Sequence, residues 1–390
     1  MRKVSLPPDS SATESRLLGS ALSLLARRRY DSVSVAEICR EAGLSNGVFY
    51  RYFAGKEELA RRLLDRAADL VRRALLAATD DPDAGRRLGG LAQSLAGCGD
   101  IDPELLAVLH EGRSLFPDFG RMLGSLHQDG LSRALGREAT SPEIAFALGG
   151  PRHCAVRRAL RSVPIDGSTI SAIVLRGLFP GLAFDEDRVF ATPEQPTAPG
   201  AAARSPRALL EAGRLLFSTQ GFSATNVHEI ADAAGCSVGA FYLRHASKDE
   251  FYGELARAVY ADLEGFVTAN LPEGLNRLER ETRRLWLFAI RVRAGRGSRR
   301  LLQEAEFVTP AETDAFREDF VSTLLKHPLS EPGCDPGLDR RTVAEFLLGL
   351  AQCLGIDSDI NAGEGSLRAE ISMVGRLLSG GIGRSFGQAG

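Results

Sequence analysis

The feature that most constrains how this chain can fold is a short pattern of caps, turn and aromatics that occurs twice, 192 residues apart. Its first copy opens with Ser34 and Glu37. These form a capping box: a Ser hydroxyl and a Glu three residues on can each satisfy a backbone N–H left unpaired at the start of a helix. Val35, Ile38 and Ala42 give that helix one apolar face. Gly43 follows, where a tight turn at positive φ would strain any residue carrying a Cβ. Ser45 is placed to cap a second short helix, with Asn46, Gly47 and Val48 in its first turn and Phe53 as an anchor into a small core. In the second copy Asn226 and Glu229 replace Ser34 and Glu37. The same offset takes Gly43 to Gly235, Ser45 to Ser237, Gly47 to Gly239, Phe49 to Phe241, Tyr50 to Tyr242 and Lys56 to Lys248. A helix, a Gly turn and a second helix make a helix-turn-helix, whose second helix enters a DNA major groove. One constant offset across so many positions means duplication.

On that reading, each second helix offers base and phosphate contacts. In the first copy these are Ser34, Ser45, Asn46, Gly47, Val48, Tyr50, Arg51 and Tyr52, with Val48 suited to a thymine methyl and Asn46 to a base or phosphate. Lys56, opening the next helix beside exposed N–H groups, reads as a phosphate clamp. The second copy offers Asn226, Ser237, Val238, Gly239, Ala240, Tyr242, Arg244 and Lys248. The overall charge of −2 hides an asymmetry that bears on this. Residues 1–78 carry 14 Lys+Arg and 9 Asp+Glu, a balance of +5, whereas residues 201–260 carry 6 and 6. Attraction to phosphate is therefore concentrated at the first copy.

From Thr13 to about Arg66 the chain resembles the DNA-binding domain of the TetR (tetracycline repressor) family. The residues that carry the likeness are Ser34…Ile38-Cys39, Gly43-Leu44-Ser45, Tyr50-Arg51-Tyr52-Phe53 and Lys56-Glu57, with Cys39 in place of the usual Ala. In the second copy Tyr242-Leu243-Arg244-His245 departs from the family's Tyr-x-Tyr/His-Phe: Arg244 stands for an aromatic and His245 for the buried Phe. That departure predicts a second head that binds DNA more weakly or reads a different half-site. His245 itself is open to two readings, a partly exposed structural His or a phosphate contact.

The resemblance implies an all-α protein of two tandem units, each a three-helix head on a helical regulatory and dimerisation body. The expected boundaries are 1–12 arm, 13–62 first head, 63–183 first body, 184–205 linker, 206–254 second head and 255–390 second body. Within the arm, Arg2 and Lys3 are open to two readings, a mobile tail or a contact to phosphate or the minor groove. The Pro/Ala-rich linker, at roughly 3.3 Å per residue, reaches roughly 70 Å. Residues 57–79 read as a connector helix, and the last two helices of each body as one half of a four-helix interface. Gly149-Gly150-Pro151 should interrupt the first of these, since Pro removes a donor and crowds the preceding turn. The bodies repeat too: Leu109–Pro117 matches Leu302–Pro310 at an offset of 193, and the segment from Pro332 to Pro336 shifts the later register. The Gly-rich end from Ser379 is expected to fray.

Two functions fit. In the first, one chain acts as its own dimer, a double-headed repressor on double-stranded operator DNA, asymmetric because the two reading helices differ. A small apolar or amphipathic effector bound in a body would release it. In the second, only the first head binds DNA, the second unit is a degenerate sensor or dimerisation module, and whole chains dimerise. His110, Arg113, His127 and Trp286 are the candidate pocket residues. An enzyme is not expected: there is no metal-ligand spacing, no phosphate-binding Gly loop ahead of a helix and no triad pattern. No cofactor is expected either. The six Cys lack CxxC spacing and read as small buried hydrophobes. The start lacks a signal-peptide core and no apolar run is long enough to span a membrane, so a cytoplasmic location is expected. Only four of 48 basic residues are Lys, a composition typical of GC-rich bacterial genomes.

Overall fold

The structure, a computed structural model, describes residues 10–77, 81–194, 206–295, 297–326, 335–357 and 364–383. The arm with Arg2 and Lys3, linker residues 195–205, most of the Pro332–Pro336 segment and residues 384–390 lie outside the described residues. Every element in the described residues is helical.

The first head is built from α1 (Ser10–Leu25), α2 (Val35–Glu41) and α3 (Asn46–Phe49). Leu17, Leu18, Ala21 and Leu25 bury one stripe of α1 against Ile38, Phe49 and Phe53. Both capping-box bonds form at α2: Ser34 Oγ accepts the Glu37 N–H at 3.2 Å and Glu37 accepts the Ser34 N–H at 2.8 Å. Gly43 turns at φ +64°. The connector α4 (Lys56–Leu76) then enters the body, made by α5 (Ala84–Ile101), α6 (Pro103–Leu115) and α7 (Pro117–Leu135). After it come α8 (Ser141–Ile144), α9 (Gly150–Arg161) and α10 (Gly167–Arg176).

The second unit follows the same plan: α11 (Glu186–Val189) lies in the strap before it, then α12 (Arg207–Gln220), α13 (Val227–Ala233) and α14 (Val238–Tyr242) form the head. Asn226 and Glu229 again make both capping bonds, and Gly235 turns at φ +67°. The connector is α15 (Lys248–Ala269), and the body is α16 (Arg277–Ala294), α17 (Ser298–Val308), α18 (Pro310–Lys326), α19 (Arg340–Gln352) and α20 (Glu364–Gly380).

The two bodies meet where α9 crosses α19, with Phe146 packed edge-on against Phe346 at 5.5 Å. Thr140 and Asp339 cap the two helices at corresponding positions, which sets the offset here at 199 and pairs Gly150 with Gly349. These glycines mark the crossing point. A Cβ on Gly349 would lie 3.0 Å from the Gly150 Cα, and one on Gly150 would lie 2.5 Å from the Phe346 ring. The expected interruption at Gly149-Gly150-Pro151 is corrected accordingly. The helix runs on from α8 to α9 through one π-turn (Ala145–Gly149) that absorbs the proline, and the glycines serve close approach.

Two further expectations are revised. Residues 184–194 are not free linker: α11 is capped by Asp185, Phe190 packs edge-on against Trp286 at 5.2 Å, and the Glu194 N–H donates to Asn270 at 2.7 Å. The described part of the Gly-rich end is anchored, not frayed. Ile382 donates to the Val174 carbonyl at 2.9 Å, while Leu378 accepts N–H groups from Leu178 and Phe179 at 2.7 and 3.0 Å. Backbone bonds therefore tie the end of each body to the other.

Charge is sorted across this seam. Buried Arg157 reaches Glu345 at 3.2 Å, Asp314 at 2.9 Å and Glu318 at 2.8 Å. His153 faces Glu345, His110 faces Glu306, and Arg113 and Arg152 share Asp357. Among the described residues, each ion pair joining residues up to 183 to the second unit takes its base from the first and its acid from the second. Burial would raise the Glu345 carboxyl, but His153, Arg157 and Arg341 hold it at about 2.

Candidate nucleic-acid interface

Recognition helix α3 presents Ser45, Asn46, Gly47, Tyr50 and Arg51 to solvent, with Val48 and Tyr52 half-buried. Tyr50 is 59% exposed, and its counterpart Tyr242 53%. The expected cap at Ser45 is not made by its side chain, whereas Ser237 accepts the Ala240 N–H at 3.1 Å. Ser34 and Asn226 lie exposed at the starts of α2 and α13, where their side chains serve the capping boxes. On α14, Ser237, Gly239, Tyr242 and Arg244 are exposed and Val238 and Ala240 half-buried. Leu243, which occupies the place of Arg51, is 86% exposed.

The two lysines need correcting. Lys56 does not stand free as a phosphate clamp. Its Nζ donates to the Tyr30 and Val33 carbonyls, each at 2.7 Å, and lies 4.1 Å from the Tyr30 ring centroid. Lys248 repeats this with the Phe222 and Thr225 carbonyls at 2.7 and 2.8 Å and the Phe222 ring at 4.2 Å. Burial lowers the pKa of both ammonium groups. Their donors tie the turn ahead of the reading helices to the start of the connector.

A second tie, missed in the sequence, completes this arrangement. The Tyr30 N–H donates to Glu111 at 3.0 Å, and the Phe222 N–H to Glu304 at 2.8 Å. One turn residue in each head is thus held at its carbonyl by the connector and at its N–H by the body. The signal was present: Glu111 and Glu304 are the shared Glu of the repeated Leu109–Pro117 and Leu302–Pro310 segments. The surroundings differ. Arg300 pairs with Glu304 at 3.2 Å and also closes the Thr219 and Gln220 carbonyls at 2.7 and 2.9 Å. Glu111 makes no ion pair among the described residues, and burial pushes its carboxyl up to about 7.

His245 resolves as neither of the two readings. It is buried, between Phe241 and Phe251 at 5.3 and 5.0 Å, with Nε2 3.5 Å from Glu254. At the matching positions the first head has Phe53 and Arg62, the latter a half-exposed arginine paired with Glu14 at 3.1 Å. The heads also touch. Arg29 lies 4.6 Å from the Phe222 ring and 3.5 Å from Asp249, and Ser223 donates to Asp31, its own counterpart in the other head.

Of the candidate pocket residues, the structure brings two together. Arg113 and His127 line one cavity of about 510 Å³ between the bodies. His110 is instead a seam contact, 2.8 Å from Glu306 and packed on Phe307. Trp286 is buried against Phe190, and neither it nor His110 lines this cavity or the three others found among the described residues, so the structure does not place these two with Arg113 and His127. Among the described residues no helix is long and apolar enough to cross a membrane, and no His/Cys/Asp/Glu group could hold a metal.

The geometry defines a class first: two helix-turn-helix domains in one polypeptide. The profile described as bacterial regulatory proteins, tetR family, matches residues 17–63 and again 209–255. Each of the two heads therefore matches the tetR-family regulatory domain, once in each unit of the chain. An uncharacterized HTH-type transcriptional regulator of Bacillus subtilis (strain 168), YwcC, is 36% identical over 66 residues, 17% of this chain and 30% of that protein. Another from the same strain, YuxN, is 42% identical over 52 residues, 13% of this chain and 18% of that one. The chain thus matches less than a third of the length of either. The fatty acid degradation regulator FadR from Bacillus halodurans superposes with a TM-score of 0.40 at 16% identity, over 48% of this chain and 98% of that one.

Proposed function

We propose that this chain is a DNA-binding transcriptional regulator, a repressor, that serves as its own dimer and reads an asymmetric operator with two unlike heads. The observation that carries this is the charge-sorted seam. Two copies of the first unit would set Arg157 against Phe146, and two copies of the second would set Glu345 against Gln352 and its neighbours. A buried charge stripped of its partner costs about 3–5 kcal/mol, which falls on Arg157; Glu345 would lose His153 and Arg157 but keep Arg341 of its own unit. Like units are therefore rejected and unlike units accepted, which is specificity by penalty on the wrong pair. One polypeptide then supplies both half-site readers, Asn46 and Val48 on one and Val238 and Ala240 on the other. A protein without two-fold identity has no reason to prefer a palindrome. The test is a footprint on the operator together with the mass of the full-chain complex. The expected result is one chain over two dissimilar half-sites; a perfect palindrome holding two chains would overturn it.

The exposed Leu243 in place of Arg51 favours the second reading, in which only the first head grips DNA. Tyr50→Ala and Tyr242→Ala separate the two by operator affinity. Equal losses support two working heads, and loss confined to Tyr50→Ala supports one. Lys56 and Lys248 are unsuitable probes, because their removal loosens the heads themselves.

A further inference from the structure

We propose that the cavity between the bodies is a binding site for a small organic anion, a carboxylate or phosphate head on an apolar body. The inference rests on the regulatory reading above and names the class of effector. The cavity of about 510 Å³ lies within the range of small-molecule sites. The apolar interior of the second body, beside Phe288 and Phe320, leaves only about 60 Å³. Arg113 and Arg152 from the first unit and Arg299 from the second reach its wall, with Arg121 at the rim, against Asp357 as the one carboxylate lining it. The formal balance of the lining is therefore four positive charges to one negative. Arg113 and Arg152 already share Asp357, and their guanidinium groups hold it down at about 2 against the opposing effect of burial.

Three buried polar atoms in the lining have no hydrogen-bond partner: the nitrogens Arg113 Nε and His127 Nε2, and Asp357 Oδ1, which is ion-paired with Arg113. Burial lowers His127 to about 3, so its ring is neutral and, with the proton on Nε2, donates a hydrogen bond without adding charge. Unpaired donors beside the Arg113 and Arg152 guanidinium groups, which share one carboxylate, call for an anion. Leu123, Ile144 and Cys353 supply the apolar wall for the rest of the molecule.

The site is also wired to the first head. Four consecutive residues of α6 each meet a different element: His110 meets Glu306, Glu111 holds Tyr30, and Arg113 lines the cavity. Between them, Gly112 receives Leu64 of the connector, where a Cβ would lie 2.3 Å from that side chain. An anion that draws Arg113 from Asp357 moves the helix that positions both head and connector. The second unit keeps Glu304 but has Ala305 and Glu306 at the positions of Gly112 and Arg113, so the device is confined to the first.

The experiment titrates the full chain, without DNA, with octanoate, octyl phosphate, octanol and octylammonium by calorimetry. Octanoate or octyl phosphate should bind at one site per chain, at least tenfold more tightly than octanol, with octylammonium not binding; which anion binds more tightly identifies the head group. Arg299→Gln and His127→Phe should weaken the anion at least fivefold while thermal unfolding stays near wild type. They serve beside Arg113→Gln, which also disturbs the seam. Octanol binding as well as the anions, or both variants binding unchanged, would overturn the proposal. Because DNA is absent, that failure is distinct from failure of the regulatory reading, which an operator titration of unliganded chain decides.

Discussion

The two heads share a plan but are fastened differently. In each, a lysine at the start of the connector holds the carbonyl of the turn residue, and a body glutamate holds its N–H. In the second head Arg300 neutralises that glutamate and closes the end of α12, and an aromatic cluster of Phe217, Phe222, Phe251 and Tyr252 fills the space beneath. In the first head the glutamate is desolvated without an arginine, and the facing positions hold Leu25, Tyr30, Leu59 and Ala60. The better-matched reading helix, in the more basic stretch of chain, thus sits on the lightly held head, and the other on the bolted head. Regulation needs an element of low local stability, and the difference places it in the first unit.

The largest test of this difference is His245. His245→Phe copies the first head but leaves Glu254 buried without its imidazole, a loss of about 2–3 kcal/mol. Adding Glu254→Arg, the residue at position 62, should recover most of it, because the arginine can extend toward solvent. Thermal unfolding of the single and double variants decides. A single variant as stable as wild type would mean that the pair does not hold the second head.

The next effect is smaller and depends on pH. Glu111 has a folded pKa raised from 4.5 to about 7 by burial. Its contribution to stability is therefore fully present below about 4.5 and lost as pH rises through about 7. Glu111→Gln keeps an oxygen for the Tyr30 N–H and removes the titration. The variant should match wild type at pH 4.5 and exceed it at pH 8 by on the order of 2 kcal/mol. The readout is denaturant unfolding at both pH values; parallel curves would show that Glu111 does not titrate in this range.

Much of this was legible because heads are built from local rules. Capping boxes, positive-φ glycines and the constant offset between copies are properties of a few adjacent residues, and each appears in the structure where the repeat puts it. The bodies were less legible. Helix α5 carries Gly85, Gly89, Gly90, Gly97 and Gly99, residues that weaken a helical pattern when only the sequence is read. Their use is tertiary: a Cβ on Gly89 would lie 2.4 Å from Ser171 and one on Gly99 2.4 Å from the Ala155 carbonyl, so α5 lies tightly on α9 and α10. Nor could spacing reveal what Lys56 binds. A lysine at a helix start looks the same whether its partner is a phosphate or a carbonyl 26 residues back.

The smallest effect tests the bolt itself. Arg300→Gln removes the ion pair to Glu304 and the donors to Thr219 and Gln220, on a side chain that is partly exposed. With solvent able to replace part of each bond, the loss is on the order of 1 kcal/mol. Global unfolding will barely register that. Amide exchange will, because it reports local opening. Residues 207–245 should exchange roughly fivefold faster in the variant, while 13–53 stay unchanged. If both heads speed up together, they open as one unit through the Arg29–Phe222 and Ser223–Asp31 contacts. The unequal fastening would then be shared across the pair, and the first head could not be released alone.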